Sequence, residues 1–200
     1  MATTRPSGQH HGDLRNALLR AALDLVAERG AQGFTLAEAS RRAGVSVAAP
    51  YKHFADKDAL LAELARAGYE RQHDLFQAAM AAETDPVEQL AAFAAAYVEF
   101  AAESRALFEI TFSAGLAKAR YPALAEAGDR VLSLLRTPAA HLVTDTAAQD
   151  DLIHTIGAAA YGFAAFLTEG IFGDPTTSLD ATTRRARAAA RKLARPDPQA

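Results

Sequence analysis

The sequence predicts an all-α protein of about nine helices, three in a small N-terminal head and the rest in a C-terminal helical bundle. Three observations carry this expectation. Apolar residues recur at helical spacing along most of the 200 residues. No segment shows the alternation of β-branched and polar residues that marks a half-buried strand. Glycine, proline and capping residues punctuate the chain at helix-sized intervals.

Leu14, Leu18, Ala21, Ala22, Leu25 and Val26 fall on one helical face, so a first helix is expected from about Asp13 to Arg29, capped by Gly30. Thr35-Leu36-Ala37-Glu38 is a capping box opening a short second helix that ends near Ala43, with Gly44 as its cap. Ser46 can cap a third helix from Val47 to about Phe54. Two short helices joined by a turn built on glycine form a helix-turn-helix. A long fourth helix starts at Asp56, with Leu60, Leu61, Leu64, Ala67 and Gly68 on one side. Pro86 stands in the first turn of a fifth helix, and Leu107 to Phe112 read as a sixth. Pro122 opens a seventh helix reaching Leu135, Ala147–Phe172 form an eighth closed by Gly173-Asp174-Pro175, and a ninth runs from about Ser178 to Arg195. The resulting organisation is a flexible tail (1–12), a helix-turn-helix domain (13–58), a helical body (59–195) and a frayed end (196–200).

Composition narrows the classes further. With no cysteine, disulfide frameworks and thiolate metal sites are excluded, and a reducing, cytoplasmic compartment is expected. Met1 to Asp13 lacks the apolar core of a secretory signal. The uncharged run from Leu152 to Thr168 is alanine-rich and flanked by Asp151 and Glu169, so it reads as a buried helix and not as a membrane span. Residues 1–60 carry 8 basic against 6 acidic side chains, residues 61–175 carry 7 against 16, and residues 176–200 carry 6 against 2. A mildly basic head beside an acidic middle is compatible with a polyanion meeting the head. Enzymatic readings find no footing, because there is no Gly-x-Ser-x-Gly elbow, phosphate-binding glycine loop, His-Glu-x-x-His pair or cysteine nucleophile. His10-His11 is too isolated to be a metal site, and no cofactor is expected.

The string Thr35-(x)8-Gly44-Val45-Ser46-(x)4-Tyr51-x-His53-Phe54-x-x-Lys57-x-x-Leu60-Leu61 resembles the DNA-binding head of the tetracycline-repressor (TetR) family of bacterial regulators. Phe54 and Val45 are apolar pins for the angle between the second and third helices, and Gly44 permits the positive φ that closes the turn. Thr35, Tyr51, His53 and Lys57 supply donors suited to phosphate oxygens. Base edges fall to Ser46, Val47, Ala48, Ala49 and Lys52, where valine and alanine suit thymine methyls and lysine suits guanine acceptors. Pro50 departs from the commoner leucine before the tyrosine, and Ala39 stands where a larger aliphatic residue is usual.

The segment Tyr161-Gly162-Phe163-Ala164-Ala165-Phe166, with Gly173-Asp174-Pro175 after it, looks like a C-terminal subgroup of the family marked by a Trp-His-Gly signature. This chain has Ala160-Tyr161 in place of the Trp-His pair. The resemblance implies a homodimer built on the last two helices, with Gly157, Ala158, Ala164, Ala165, Ala186, Ala189, Ala190 and Leu193 as candidates for its face. It also implies a small hydrophobic or aromatic effector between the fifth and eighth helices. Candidate lining residues are Phe93, Tyr97, Phe100, Phe108, Phe112, Tyr161, Phe163 and Phe166, with His141 and His154 as polar contacts or core histidines. The implied function is a repressor released from a palindromic double-stranded DNA operator by that effector. The alternative keeps the DNA-binding dimer but gives its acidic body a protein partner.

Overall fold

The computed structural model describes residues 7–195, with side chains at all of them except 7–13, Ser113 and Lys118. Among these residues the chain forms nine α-helices, two 3₁₀ turns and no strand. In order they are α1 (Ser7–Arg29), α2 (Leu36–Arg42), a 3₁₀ turn (Pro50–Lys52), α3 (Lys57–Ala81), α4 (Pro86–Glu103) and α5 (Arg105–Ser113). A second 3₁₀ turn (Lys118–Arg120), α6 (Pro122–Ser133), α7 (Arg136–Leu142), α8 (Thr146–Thr168) and α9 (Pro175–Leu193) follow. The tail expected over residues 1–12 is helical from Ser7, where α1 starts six residues before the expected Asp13; residues 1–6 and the expected end at 196–200 lie outside the described residues. No described helix is long and apolar enough to cross a membrane.

The chain divides into two units. The first takes the chain through Gly68 together with Ala106–Leu124, and the second takes Tyr69–Arg105 and the chain from Ala125 on. In the first unit the apolar stripe of α1 is buried at Leu18, Ala22, Leu25 and Val26, along with Phe34, Leu36, Ala39, Phe54, Leu60 and Leu61. Gly30 ends α1 at φ +78, and its N–H donates to the Val26 carbonyl at 2.8 Å. The capping box forms as expected: Glu38 N–H donates to Thr35 Oγ1 at 3.2 Å, and Thr35 N–H donates to Glu38 Oε2 at 2.8 Å. Gly44 turns the chain at φ +71. The connector after α1 is tied down by residues far along the chain. Ala31 N–H donates to the Glu109 carboxylate of α5 at 2.7 Å, and Gln32 Nε2 donates to the Ala114 carbonyl at 3.0 Å.

The expected third helix, Val47 to Phe54, is not α-helical. Turns at residues 47–49 lead into the 3₁₀ turn Pro50–Lys52. Pro50 has no N–H to give to the Ser46 carbonyl, the bond that would start an α-helix there. The segment therefore starts on three-residue bonds, Ala49 N–H to Ser46 O at 3.0 Å and His53 N–H to Pro50 O at 2.8 Å, and makes a single four-residue bond at its end, Phe54 N–H to Pro50 O at 2.8 Å.

In the second unit α4, α8 and α9 pack against one another, and α7 packs on α4 and α8. Alanines let these helices approach closely: Ala91, Ala94, Ala95 and Ala101 of α4, Ala160 and Ala164 of α8, and Ala186 and Ala190 of α9 are all buried. The Arg191 guanidinium forks onto the Glu88 carboxylate, with both bonds at 2.7 Å, and ties α9 to α4. The expected seventh helix is α6, ending at Ser133, and α7 is a further short helix that the sequence reading did not name, with Pro138 in its first turn, where its missing N–H costs little. The ninth helix starts earlier than expected, at Pro175, with Asp174 as its N-cap accepting Thr176 N–H at 2.8 Å.

Candidate nucleic-acid interface and apolar interior

The turn from Ser46 to Lys52 presents one edge outward. Ser46, Val47, Ala48, Tyr51 and Lys52 are exposed, Tyr51 most plainly at 62%, while Pro50 and Phe54 point into the core. Ala49 is half-buried behind them. The tight 3₁₀ winding and the two inward anchors at Pro50 and Phe54 produce this division. It leaves a hydroxyl, small apolar groups, a phenol and an ammonium free to meet another molecule.

The flanking residues have structural duties as well. Thr35 is exposed, but its hydroxyl donates to Glu38 at 3.0 Å and accepts the Glu38 N–H, so it is committed to the cap. Its hydrogen bonds are the largest cause holding the Glu38 carboxyl below the ordinary range. Lys57, the first residue of α3, donates to the Ala31 carbonyl at 3.2 Å and to Gln32 Oε1 at 3.3 Å, with its ammonium 5.3 Å from the Phe34 ring centre. An ammonium has three N–H donors, so one remains for an outside acceptor. His53 is half-buried beside Phe54, at a ring separation of 6.4 Å. Arg42 forks onto Glu28 at 2.6 and 2.8 Å and depresses the Glu28 carboxyl, so the two charges offset each other locally.

The predicted lining aromatics divide among several places. Phe93, Tyr97 and Phe100 of α4 are buried together in the second unit, and Phe76 of α3 completes the cluster with ring centres 5.1, 5.2 and 6.2 Å from them. Burial, and secondarily the Tyr69 and Tyr161 phenols, push the Tyr97 hydroxyl well above the usual phenol range and keep it neutral. Phe108 is buried and pairs at 5.5 Å with the exposed Phe112 in the first unit. Phe163 and Phe166 stack on Phe172 at 6.1 and 5.4 Å, with Phe166 and Tyr161 exposed. His141 and His154 are exposed, so neither is a core histidine; His141 Nδ1 lies 2.8 Å from the Thr137 carbonyl oxygen.

The small residues proposed for a dimer face separate in the same way. Ala164, Ala186 and Ala190 are buried in the chain's own helix packing and are unavailable to a second subunit. Gly157 is half-buried, and a Cβ there would stand 3.2 Å from Leu132. Ala165 and Ala189 are half-buried, and Ala158 and Leu193 are exposed.

Sequence reasoning passed over Tyr69, Gln72 and Phe76, which continue the apolar stripe of α3 at i, i+3 and i+7 from Tyr69. That spacing was the available signal. It also passed over Glu109, whose partner lies 78 positions away and leaves no local trace.

An all-helical chain whose N-terminal unit exposes such a turn belongs to the class of helix-turn-helix DNA-binding transcription regulators. Residues 18–64 match the profile described as "Bacterial regulatory proteins, tetR family", and residues 90–190 match "Tetracyclin repressor-like, C-terminal domain". The chain belongs to the TetR family of bacterial transcriptional regulators, which are not enzymes. A solved protein of unknown function from Rhodococcus sp. RHA1 is 30% identical, with a TM-score of 0.72 over 94% of this chain and 98% of that one. A tetR-family regulatory protein from Rhodococcus RHA1 has the same fold at 16% identity, TM-score 0.72, over 92% of this chain and 98% of the other. The regulator FadR from Bacillus subtilis, solved in complex with stearoyl-CoA, shares the fold at 14% identity and a TM-score of 0.68, covering 86% of this chain and 97% of that one. No curated protein matches the chain in sequence.

Proposed function

We propose that this regulator is a homodimeric repressor that leaves a palindromic operator when a small hydrophobic or aromatic effector binds its second unit. The observation that carries the reading is the interior of that unit, where Phe76, Phe93, Tyr97 and Phe100 meet without a charged side chain among the buried residues. The stearoyl-CoA bound by the similar B. subtilis regulator supports an effector with a large apolar part. Exposed Tyr161, Phe166, Ile171 and Leu193 offer α8, α9 and their connection an apolar face for a second copy. Operator symmetry favours that copy, because two heads must reach half-sites about one DNA turn apart. Ser46, Val47, Ala48, Ala49 and Lys52 read bases, and Tyr51, His53 and Lys57 hold phosphates, while Thr35, first in the set expected on phosphates, serves the cap of α2. The protein works in the cytoplasm, where the operator lies. Effector binding acts through α3, which supplies Lys57 to Gly68 to the first unit and Tyr69 to Ala81 to the second. An effector with equal affinity for both states would release nothing.

The test is selection of retained duplexes from a random DNA pool at moderate salt, followed by sequencing. An enriched inverted repeat, absent when Tyr51 and Lys57 are both replaced by alanine, is the expected outcome. Binding that only fades with salt and enriches no repeat would overturn the operator reading. Operator affinity insensitive to every small molecule shown to bind the body would overturn release by an effector and favour a protein partner.

A further inference from the structure

Among the described residues of the second unit, Gln72 is the fully buried side chain whose polar atoms packing leaves without partners; Thr183 Oγ1 also lacks one, on a side chain that is only half-buried. Neither Nε2 nor Oε1 of Gln72 has a hydrogen-bond partner among the described residues. The unit's other two buried polar side chains, Thr168 and Thr182, are satisfied within their own helices, by the Ala165 carbonyl at 3.0 Å and the Ser178 carbonyl at 2.8 Å. A buried carboxamide without partners is costly, and such groups in folded proteins are nearly always paired with something.

Its position indicates what that something is. Gln72 lies on the same face of α3 as Tyr69, three residues before it, and Phe76, four residues after it. Phe76 is the residue against which Phe93, Tyr97 and Phe100 pack. A carboxamide offers one donor edge and one acceptor edge side by side, which matches a ligand group that both accepts and donates. Among the described residues of this unit no Lys, Arg, His, Asp or Glu is buried, so a charged head brought here would go uncompensated.

We propose that Gln72 is the polar anchor of the effector site, and that the effector joins an apolar body to an uncharged amide-like group, hydrogen-bonded to both Oε1 and Nε2 of Gln72. This deepens the effector reading above and rests on it. An acyl chain alone would leave the anchor unused. A carboxylate or phosphate head would have to stay outside the aromatic interior.

The test uses the full-length protein without DNA and three probes of similar size: benzamide, toluene and benzoate, with affinities read by calorimetry at neutral pH. The wild type is expected to bind benzamide about tenfold or more tightly than toluene, as one or two added hydrogen bonds imply, and benzoate least. Gln72→Leu and the unbranched Gln72→Met, both suited to an apolar interior, should bind toluene as well as the wild type and lose the preference for benzamide. A wild type that binds benzamide no better than toluene, or that binds neither, would sink the proposal. So would variants that keep the preference, since the amide would then be meeting internal water alone. DNA takes no part in this experiment, and no probe takes part in the operator selection, so the two readings fail separately.

Discussion

Lys57 shows how closely the DNA-facing edge is tied to the fold beneath it. Its ammonium holds the Ala31 carbonyl and Gln32 while keeping one N–H for an outside phosphate. Lys57→Ala is expected to weaken binding evenly across operator sequences and to reduce the slope of log affinity against log salt by about 1. Titrations at several salt concentrations check this, and a loss concentrated on particular base pairs would assign the lysine to base reading. The outward set Ser46, Val47, Ala48, Tyr51 and Lys52 was legible in the sequence because cap, turn and aromatic sit within a few positions of each other. The second duty of Lys57 was not legible, since its partners lie 25 and 26 positions away. Gln72 was legible in principle: an amide inside the stripe of Tyr69 and Phe76 is a polar residue on a buried face.

At the scale of elements, prolines decide where helices start or tighten. Pro86 at the head of α4 was read correctly, and the same Asp-Pro pair at Asp174-Pro175 opens α9 even though it follows glycine and looks like the end of α8. Pro138 stands in the first turn of α7, the short helix that follows the expected seventh. Pro50 converts the expected third helix into a 3₁₀ turn, so Pro50→Ala restores the amide four residues after Ser46, whose carbonyl now accepts from Ala49 N–H instead. Chemical shifts of residues 47–53 should then move toward α-helical values, and the selected operator should change. Unchanged shifts would mean that Phe54 and the preceding turn, and not the proline, impose the winding. Glu109 acts at the same scale by accepting the Ala31 N–H from across the first unit. Glu109→Ala should lower stability by about 1–3 kcal/mol in urea denaturation, and Glu109→Gln, which keeps an acceptor, by less.

For the whole molecule, acid is the lever the ion pairs define. Glu63 is depressed first by Arg66 and then by Arg15 in the first unit, and Glu88 first by Arg191 in the second. A carboxyl whose folded value lies below its unfolded one contributes stability above the unfolded value, and loses it as pH falls through the folded one. Melting temperature should therefore hold near neutrality and fall from about pH 4.5 downward, with a shallower fall in Glu63→Gln. Glu99, raised chiefly by burial, opposes the trend in part. A flat melting profile down to pH 3 would show these pairs to be energetically idle. The first unit also bears on how heads pass between relatives. Its chain is interrupted, because Ala106–Leu124 return to it after the second unit has begun. A chimaera cut after Gly68 would graft the reading turn without Glu109 and Ala114, leaving the Ala31 and Gln32 donors orphaned. Recombination that swaps operator specificity by exchanging the N-terminal segment alone is therefore handicapped, and functional shuffling must inherit α5 along with the head.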